Sequence, residues 1–303
     1  MVTNSSQVHT VNDVMTRWVV TITPSDSLSK ARDTMIQTHV SQLVVTDERG
    51  RPIGLISKRD IARFLLEDTT TRDTGEITVS EASSKSIFKI RPDLAVVNAA
   101  RLFDTDNLAY AVVTNENPLI GIITETDLSH YFSQKFPGRF KVNDVMQSDF
   151  IFAKSTYPVV HVAHAIVLRQ PSVPVIDEEL VGILTLSDIL SIGEKFPLNG
   201  NGKLRSKGKD YAALITTKDV MTLNPVTTHE NTDLAQAAQI IITKGVSSLP
   251  VTDDGSKVVG LLAKHDIVRA LGRIGADPTL EAKKQLNQVS VNKPKRILTH
   301  GSS

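Results

Sequence analysis

A seven-residue unit occurs four times in this chain, and its recurrence constrains the fold more than any other feature. The unit reads glycine, two apolar residues, a hydroxyl, two variable residues and an aspartate. The copies are Gly54-Leu55-Ile56-Ser57-Lys58-Arg59-Asp60, Gly121-Ile122-Ile123-Thr124-Glu125-Thr126-Asp127, Gly182-Ile183-Leu184-Thr185-Leu186-Ser187-Asp188 and Gly260-Leu261-Leu262-Ala263-Lys264-His265-Asp266. The last has alanine where the others have a hydroxyl. One such heptad carries little information, but four in order, 67, 61 and 78 residues apart, identify a repeat architecture.

Each heptad has the same kind of preamble. Asp13-Val14-Met15, Asp144-Val145-Met146 and Asp219-Val220-Met221 open repeats one, three and four, while repeat two has Glu81-Ala82-Ser83 at the aligned place. Apolar triplets follow: Leu28/Ala31/Met35, Val96/Ala99/Phe103, Val159/Val162/Ile166 and Leu234/Ala237/Ile241. Their offsets of three and then four residues put each triplet on one helix face. Short β-branched runs come next (Leu43-Val44-Val45, Ala111-Val112-Val113, Val173-Pro174-Val175, Leu249-Pro250-Val251), then a turn, then the heptad as strand leading into helix. Each unit thus reads strand, helix, strand, strand, helix, an α/β fold of the α+β type. A unit of about 60 residues makes a marginal core alone, so the units are expected to pair through their sheets. The expected boundaries are 11–68 and 79–134 for the first pair, 142–194 and 214–273 for the second, a Gly/Asn/Lys-rich linker at 195–213, and a tail at 274–303.

Together the Asp-Val-Met opening, the helix triplet, the Leu-Pro-Val strand and the heptad resemble the CBS (cystathionine β-synthase) domain, over about 85% of the chain. The resemblance implies two units paired about a pseudo-two-fold axis, with up to two ligands in the clefts between them. The ligands it implies are AMP, ADP, ATP, S-adenosylmethionine or dinucleoside polyphosphates, with Mg²⁺ as a companion of the phosphates and no catalytic cofactor. It places the heptad hydroxyls (Ser57, Thr124, Thr185) on phosphate or ribose, the aspartates (Asp60, Asp127, Asp188, Asp266) on ribose hydroxyls, and adenine near the first strand, at Val20 and Thr21, with Thr227 in the fourth repeat. It also implies a regulator rather than an enzyme, one that passes ligand binding to a protein partner through a conformational change. Whether two pairs close into one disc or the chain forms a homodimer is left open.

Read without the resemblance, the heptad has two meanings. Hydroxyl and carboxylate three apart form a capping box at a helix N-terminus, and the same terminus offers free N–H groups and partial positive charge to a phosphate. Cations separate the four sites. Repeat one adds Lys58 and Arg59, with His39 in the preceding loop, and is the best anion candidate; repeat four adds Lys264 and His265; repeat two has the repelling Glu125. His161 and His164 share a helix side but have no third metal ligand at suitable spacing. No cysteine is present, which excludes disulfides and thiolate chemistry.

The net charge of +1 conceals segregation. Residues 199–209 carry four cations and residues 282–303 carry five, neither with an acid, so the remaining chain stands near −8. These stretches read as solubilising segments or as an RNA contact, the latter being the alternative of a nucleic-acid- or ribosome-associated factor. They lack the aromatic side chains that stack bases. No run is apolar enough to span a bilayer, and a cytoplasmic protein is expected.

Overall fold

The computed structural model describes residues 8–68, 72–115, 118–192, 205–206, 209–210 and 215–274. The linker and tail readings therefore fall almost wholly outside the described residues; within the linker, Arg205–Ser206 (β9) pairs antiparallel with Lys209–Asp210 (β10).

Every repeat builds the predicted helix on its apolar triplet. The helices are α2 (Leu28–Gln37), α5 (Val96–Thr105), α7 (Val159–Leu168) and α10 (Leu234–Lys244), and all twelve triplet residues are buried. The strand pairs that follow are antiparallel: β2 (Gln42–Thr46) with β3 (Pro52–Ser57), β5 (Tyr110–Thr114) with β6 (Leu119–Thr124), β7 (Ser172–Ile176) with β8 (Leu180–Thr185), and β13 (Ser248–Thr252) with β14 (Val258–Ala263). Each second strand ends on the heptad's fourth residue, which caps the next helix: α3 (Lys58–Glu67), α6 (Glu125–Lys135), α8 (Leu186–Leu190) and α11 (Lys264–Arg273).

The predicted first strands are shorter. Thr21–Ile22 (β1), Lys89–Ile90 (β4) and Thr228–His229 (β12) each add a two-residue parallel edge. In repeat three the edge is one bridge, Ala153 to Val175, and the sheet is completed by Thr222–Leu223 (β11) of repeat four. Two residues need few β-formers, so periodicity carries little trace of them.

The openings form short helical turns: α1 (Val11–Val14), α4 (Val79–Ala82), a 3₁₀ turn at Val142–Asp144, and α9 (Thr217–Val220). The chain then crosses to its pair mate. Thr16 pairs with Ile122, Ser84 with Leu55, Gln147 with Leu261 and Thr222 with Ile183. Repeats one and two exchange openings in this way, as do three and four.

Two large cores hold the molecule. One joins helices of repeats one and three through α3, α7 and α8; the other joins repeats two and four through α5, α6, α10 and α11. A smaller cluster of Val44, Leu55, Val112 and Ile122 fills the space between the sheets of repeats one and two. The two halves thus face each other by their helices within one chain.

Candidate functional site

The heptads end in built helix caps. In repeat one the Ser57 amide and hydroxyl donate to Asp60 Oδ2 at 2.8 and 2.6 Å, and Ser57 Oγ accepts from the Asp60 amide at 3.2 Å. Thr124 and Asp127 repeat this at 2.8, 2.7 and 3.3 Å. Thr185 donates to Asp188 at 2.8 and 2.7 Å. In repeat four only the Ala263 amide remains, 2.8 Å from Asp266 Oδ2. The capping reading accordingly describes the inner oxygen of each carboxylate.

The outer oxygen, Oδ1, distinguishes the four sites, through residues of the exchanged openings. Thr16 Oγ1 donates to Asp127 at 3.0 Å and Thr222 Oγ1 to Asp188 at 3.1 Å. Asp266 receives Gln147 Nε2 at 3.1 Å and Arg269 Nη2 at 2.7 Å, and is 0% exposed. Asp60 Oδ1 has no hydrogen-bond partner among the described residues; the crossing residue there, Ser84, turns its hydroxyl to the Ser86 carbonyl instead. Burial is the largest influence on Asp127 and Asp266, and it raises both carboxyls above the usual carboxylate value against their hydrogen bonds.

Around Asp60 the walls come from the pair mate. Leu55 packs in the cluster between the sheets, beside Tyr110 and Ile87 of repeat two. The Tyr110 hydroxyl is pushed up to about 12, by burial first and by the Asp60 charge second, with a Ser57 hydrogen bond opposing. Arg59 and Arg63 act on the same phenol as positive charges. Sequence reading missed Tyr110, because the aligned positions in the other repeats, Gln42, Ser172 and Ser248, carry no aromatic ring. It also missed Thr16, Gln147, Thr222 and Arg269, whose heptad aspartates lie between 3 and 119 residues away.

Two of the expected cations reach across to other repeats. Lys58 Nζ donates to Ser187 Oγ at 3.3 Å, and Lys264 Nζ to Thr126 Oγ1 at 2.9 Å. Desolvation lowers both amines below the usual lysine value; at Lys264 the charges of Glu125 and Asp127 oppose it and that of Lys58 adds to it. His265 Nδ1 lies 2.9 Å from Glu125 Oε1 and its Nε2 lies 3.6 Å from Asp104. Glu125, which alone would repel phosphate, is thus matched by cations of repeat four. Those cations face the corner of repeat two.

The remaining candidates are more peripheral. His39 is exposed in a left-handed turn after α2. Thr21 and Thr227 are exposed, and Val20 is half-buried against the first core. The segment 16–21 runs from the strand of repeat two to the sheet of repeat one, starting at Asp127. Val20 and Thr21 therefore stand at the far end of the segment that starts at the Asp127 cap, and the corresponding segment at Asp60 starts at Ser84. His164 Nδ1 is 2.8 Å from the Val160 carbonyl, and among the described residues no three His, Asp or Glu side chains cluster as a metal site. No helix among these residues is long and apolar enough to cross a membrane.

Comparison with known proteins agrees with this geometry. The CBS domain family matches the chain four times, at residues 11–67, 79–134, 142–195 and 218–273. The uncharacterised protein MJ1225 of Methanocaldococcus jannaschii is 24% identical over 267 residues, 83% of this chain and 94% of its own. Its crystal structure, described as that of a proposed archaeal homologue of γ-AMPK, superposes with a TM-score of 0.77 over 86% of this chain and 99% of that one. An uncharacterised 33.4 kDa protein of Thermofilum pendens, from a ribosomal RNA operon, is 24% identical over 82% of this chain and 87% of its own.

Proposed function

We propose, from the premise that the chain belongs to the CBS domain family, that it is a non-catalytic sensor of adenosine nucleotides whose best cleft is the one at Ser57 and Asp60. The observation that carries this reading is the Oδ1 of Asp60, which has no hydrogen-bond partner among the described residues. The three other heptad carboxylates spend that oxygen on Thr16, Thr222, or Gln147 and Arg269, while Asp60 keeps it for a ribose hydroxyl. The N-terminus of α3 and the nearby Lys58 and Arg59 suit a phosphate, and the half-buried Ile87 and Tyr110 offer the apolar wall a base needs. Mg²⁺ would enter with the phosphates. The relation of MJ1225 to γ-AMPK points in the same direction, towards a regulator that binds rather than converts its nucleotide.

Transmission to a partner would pass through Lys58. A phosphate that draws this amine away from Ser187 removes a contact between the two halves, so ligand binding biases their relative orientation. The test is calorimetric titration of the full chain with AMP, ADP, ATP and S-adenosylmethionine, wild type against Asp60→Ala and Asp60→Asn. Asn retains an acceptor for the cap but loses the charge. Loss of the carboxylate contacts is expected to weaken binding about ten- to hundred-fold, roughly 1.5–3 kcal/mol. Equal affinity of both folded variants and wild type would refute the assignment.

A further inference from the structure

The exchanged openings do more than reach the heptad aspartates. In three repeats the methionine of the opening lies against the heptad glycine of the pair mate. A Cβ built on Gly121 would stand 2.9 Å from Met15 Sδ, one on Gly182 would stand 2.6 Å from Met221 Sδ, and one on Gly260 would stand 2.6 Å from Met146 Sδ. Gly54 is the fourth such glycine, and the residue crossing towards it is Ser83. The backbone there is the same, since Leu55 and Ser84 exchange hydrogen bonds of 3.0 and 2.9 Å just as Thr16 and Ile122 do. Only the side chain is missing. Gly54 meets the Ser84 carbonyl and Val45, and no atom of Ser83 is among its nearest neighbours.

A cleft of about 240 Å³ remains at this place, walled by Pro24, Val45 and the bulged Ile53, with Ser80, Ser83 and Lys85 around it. It does not belong to the nucleotide cleft. Along β3, Leu55 and the capping Ser57 alternate with Gly54 and Ile56. Leu55 faces the cluster between the sheets, while Ile56 and Val45 belong to the core on the helix side. The gap at Ser83 therefore lies on the opposite face of the strand from Asp60.

We propose that this cleft is a second binding site, for a small molecule that carries an unbranched thioether or alkyl tail and a carboxylate, with free methionine as the prototype. The molecule supplies its own template: three of four equivalent positions are filled by a methionine side chain, whose flexible, unbranched form fits an irregular gap against a glycine. Apolar Pro24, Val45 and Ile53 would take the tail. Lys85 offers a cation for the carboxylate, and the hydroxyls of Ser80 and Ser83 offer acceptors for an ammonium group.

The experiment uses the full chain and L-methionine, L-norleucine and L-isoleucine as probes, with binding read by saturation-transfer NMR and calorimetry. Methionine and norleucine are expected to bind, and β-branched isoleucine is not. Ser83→Met should place the missing side chain in the gap, weaken methionine binding about ten- to hundred-fold and raise the Tm of the free protein by about 2–4 °C. Ser83→Leu offers a second filled variant. Lys85→Gln should weaken methionine more than methioninol, which lacks the carboxylate. Asp60→Asn should leave methionine binding intact, which separates this site from the nucleotide cleft whichever of the two fails. Wild type that binds neither probe, or a Ser83→Met protein that binds as wild type does, overturns the proposal; a higher Tm without any ligand binding would mark the gap as a packing void.

Discussion

The heptad glycine and the opening methionine look like separate signatures in the sequence, yet they are two sides of one contact made between different repeats. At Gly260 a Cβ would stand 2.6 Å from Met146 Sδ, 3.1 Å from its Cγ and 3.2 Å from the Gln147 carbonyl. Gly260→Ala is therefore expected to destabilise the protein by about 1–3 kcal/mol, as overpacking does. Because the obstacle is mostly one side chain, the combination of Gly260→Ala with Met146→Ala should cost less than the sum of the single changes by at least about 0.5 kcal/mol. Denaturant unfolding of the four proteins gives this coupling directly, and additive costs would show that Met146 is not the obstacle. The motif positions were legible because they recur. Their reason was not, since Met146 and Gly260 lie more than a hundred residues apart and nothing in either signature names the other. Tyr110 was illegible for the opposite cause: it occurs in one repeat only, so recurrence could not single it out.

Among the elements, the helices were the most legible and the first strands the least. A triplet such as Val96/Ala99/Phe103 is visible because a helix buries one face over ten residues. Two-residue edges such as Thr21–Ile22 have no period to detect, and the third strand of the repeat-three sheet is supplied by another repeat. The caps were legible as a pattern, including their lapse at Ala263. There the Asp266 carboxylate still accepts from the Ala263 amide but is closed off by Gln147 and Arg269. Ala263→Thr should restore the hydroxyl cap of α11 and raise stability by about 0.5–2 kcal/mol. Since both oxygens of Asp266 are already engaged inside the protein, the gain should be the same with and without saturating nucleotide. Paired thermal melts test this, and a gain that grows with nucleotide would mean that a phosphate reaches Ala263.

At the scale of the whole molecule, the sequence could not show which repeats face each other, because all four helix pairs present similar aliphatic surfaces. Packing sets repeat one against three and two against four, and the second contact carries a titratable latch. His265 of repeat four meets Glu125 at 2.9 Å and Asp104 at 3.6 Å, with Asp266 and Lys264 also close. The Glu125 hydrogen bond raises the imidazole above its ordinary value of 6.5, while burial opposes it. Folding therefore favours the protonated ring. That contribution is complete below the unfolded value of about 6.5 and is lost as pH rises through the higher folded value. Asp127 and Asp266, raised by burial from 3.8, act with the same sign, and they do so in the carboxylate range, where folding binds extra protons as the pH falls. Between pH 6 and 8 the contribution of His265 is the one that is lost. Wild-type stability is expected to decline across that interval by about 0.5–1 kcal/mol, the scale of a partly exposed ion pair. His265→Gln keeps a donor for Glu125 without the charge, so its profile should be flatter, with the difference from wild type largest near pH 6. Unfolding in urea at half-unit pH steps, at low and at high salt, gives both curves. Screening should shrink the difference at high salt, and parallel profiles for the two proteins would place the pH response elsewhere than at the contact between repeats two and four.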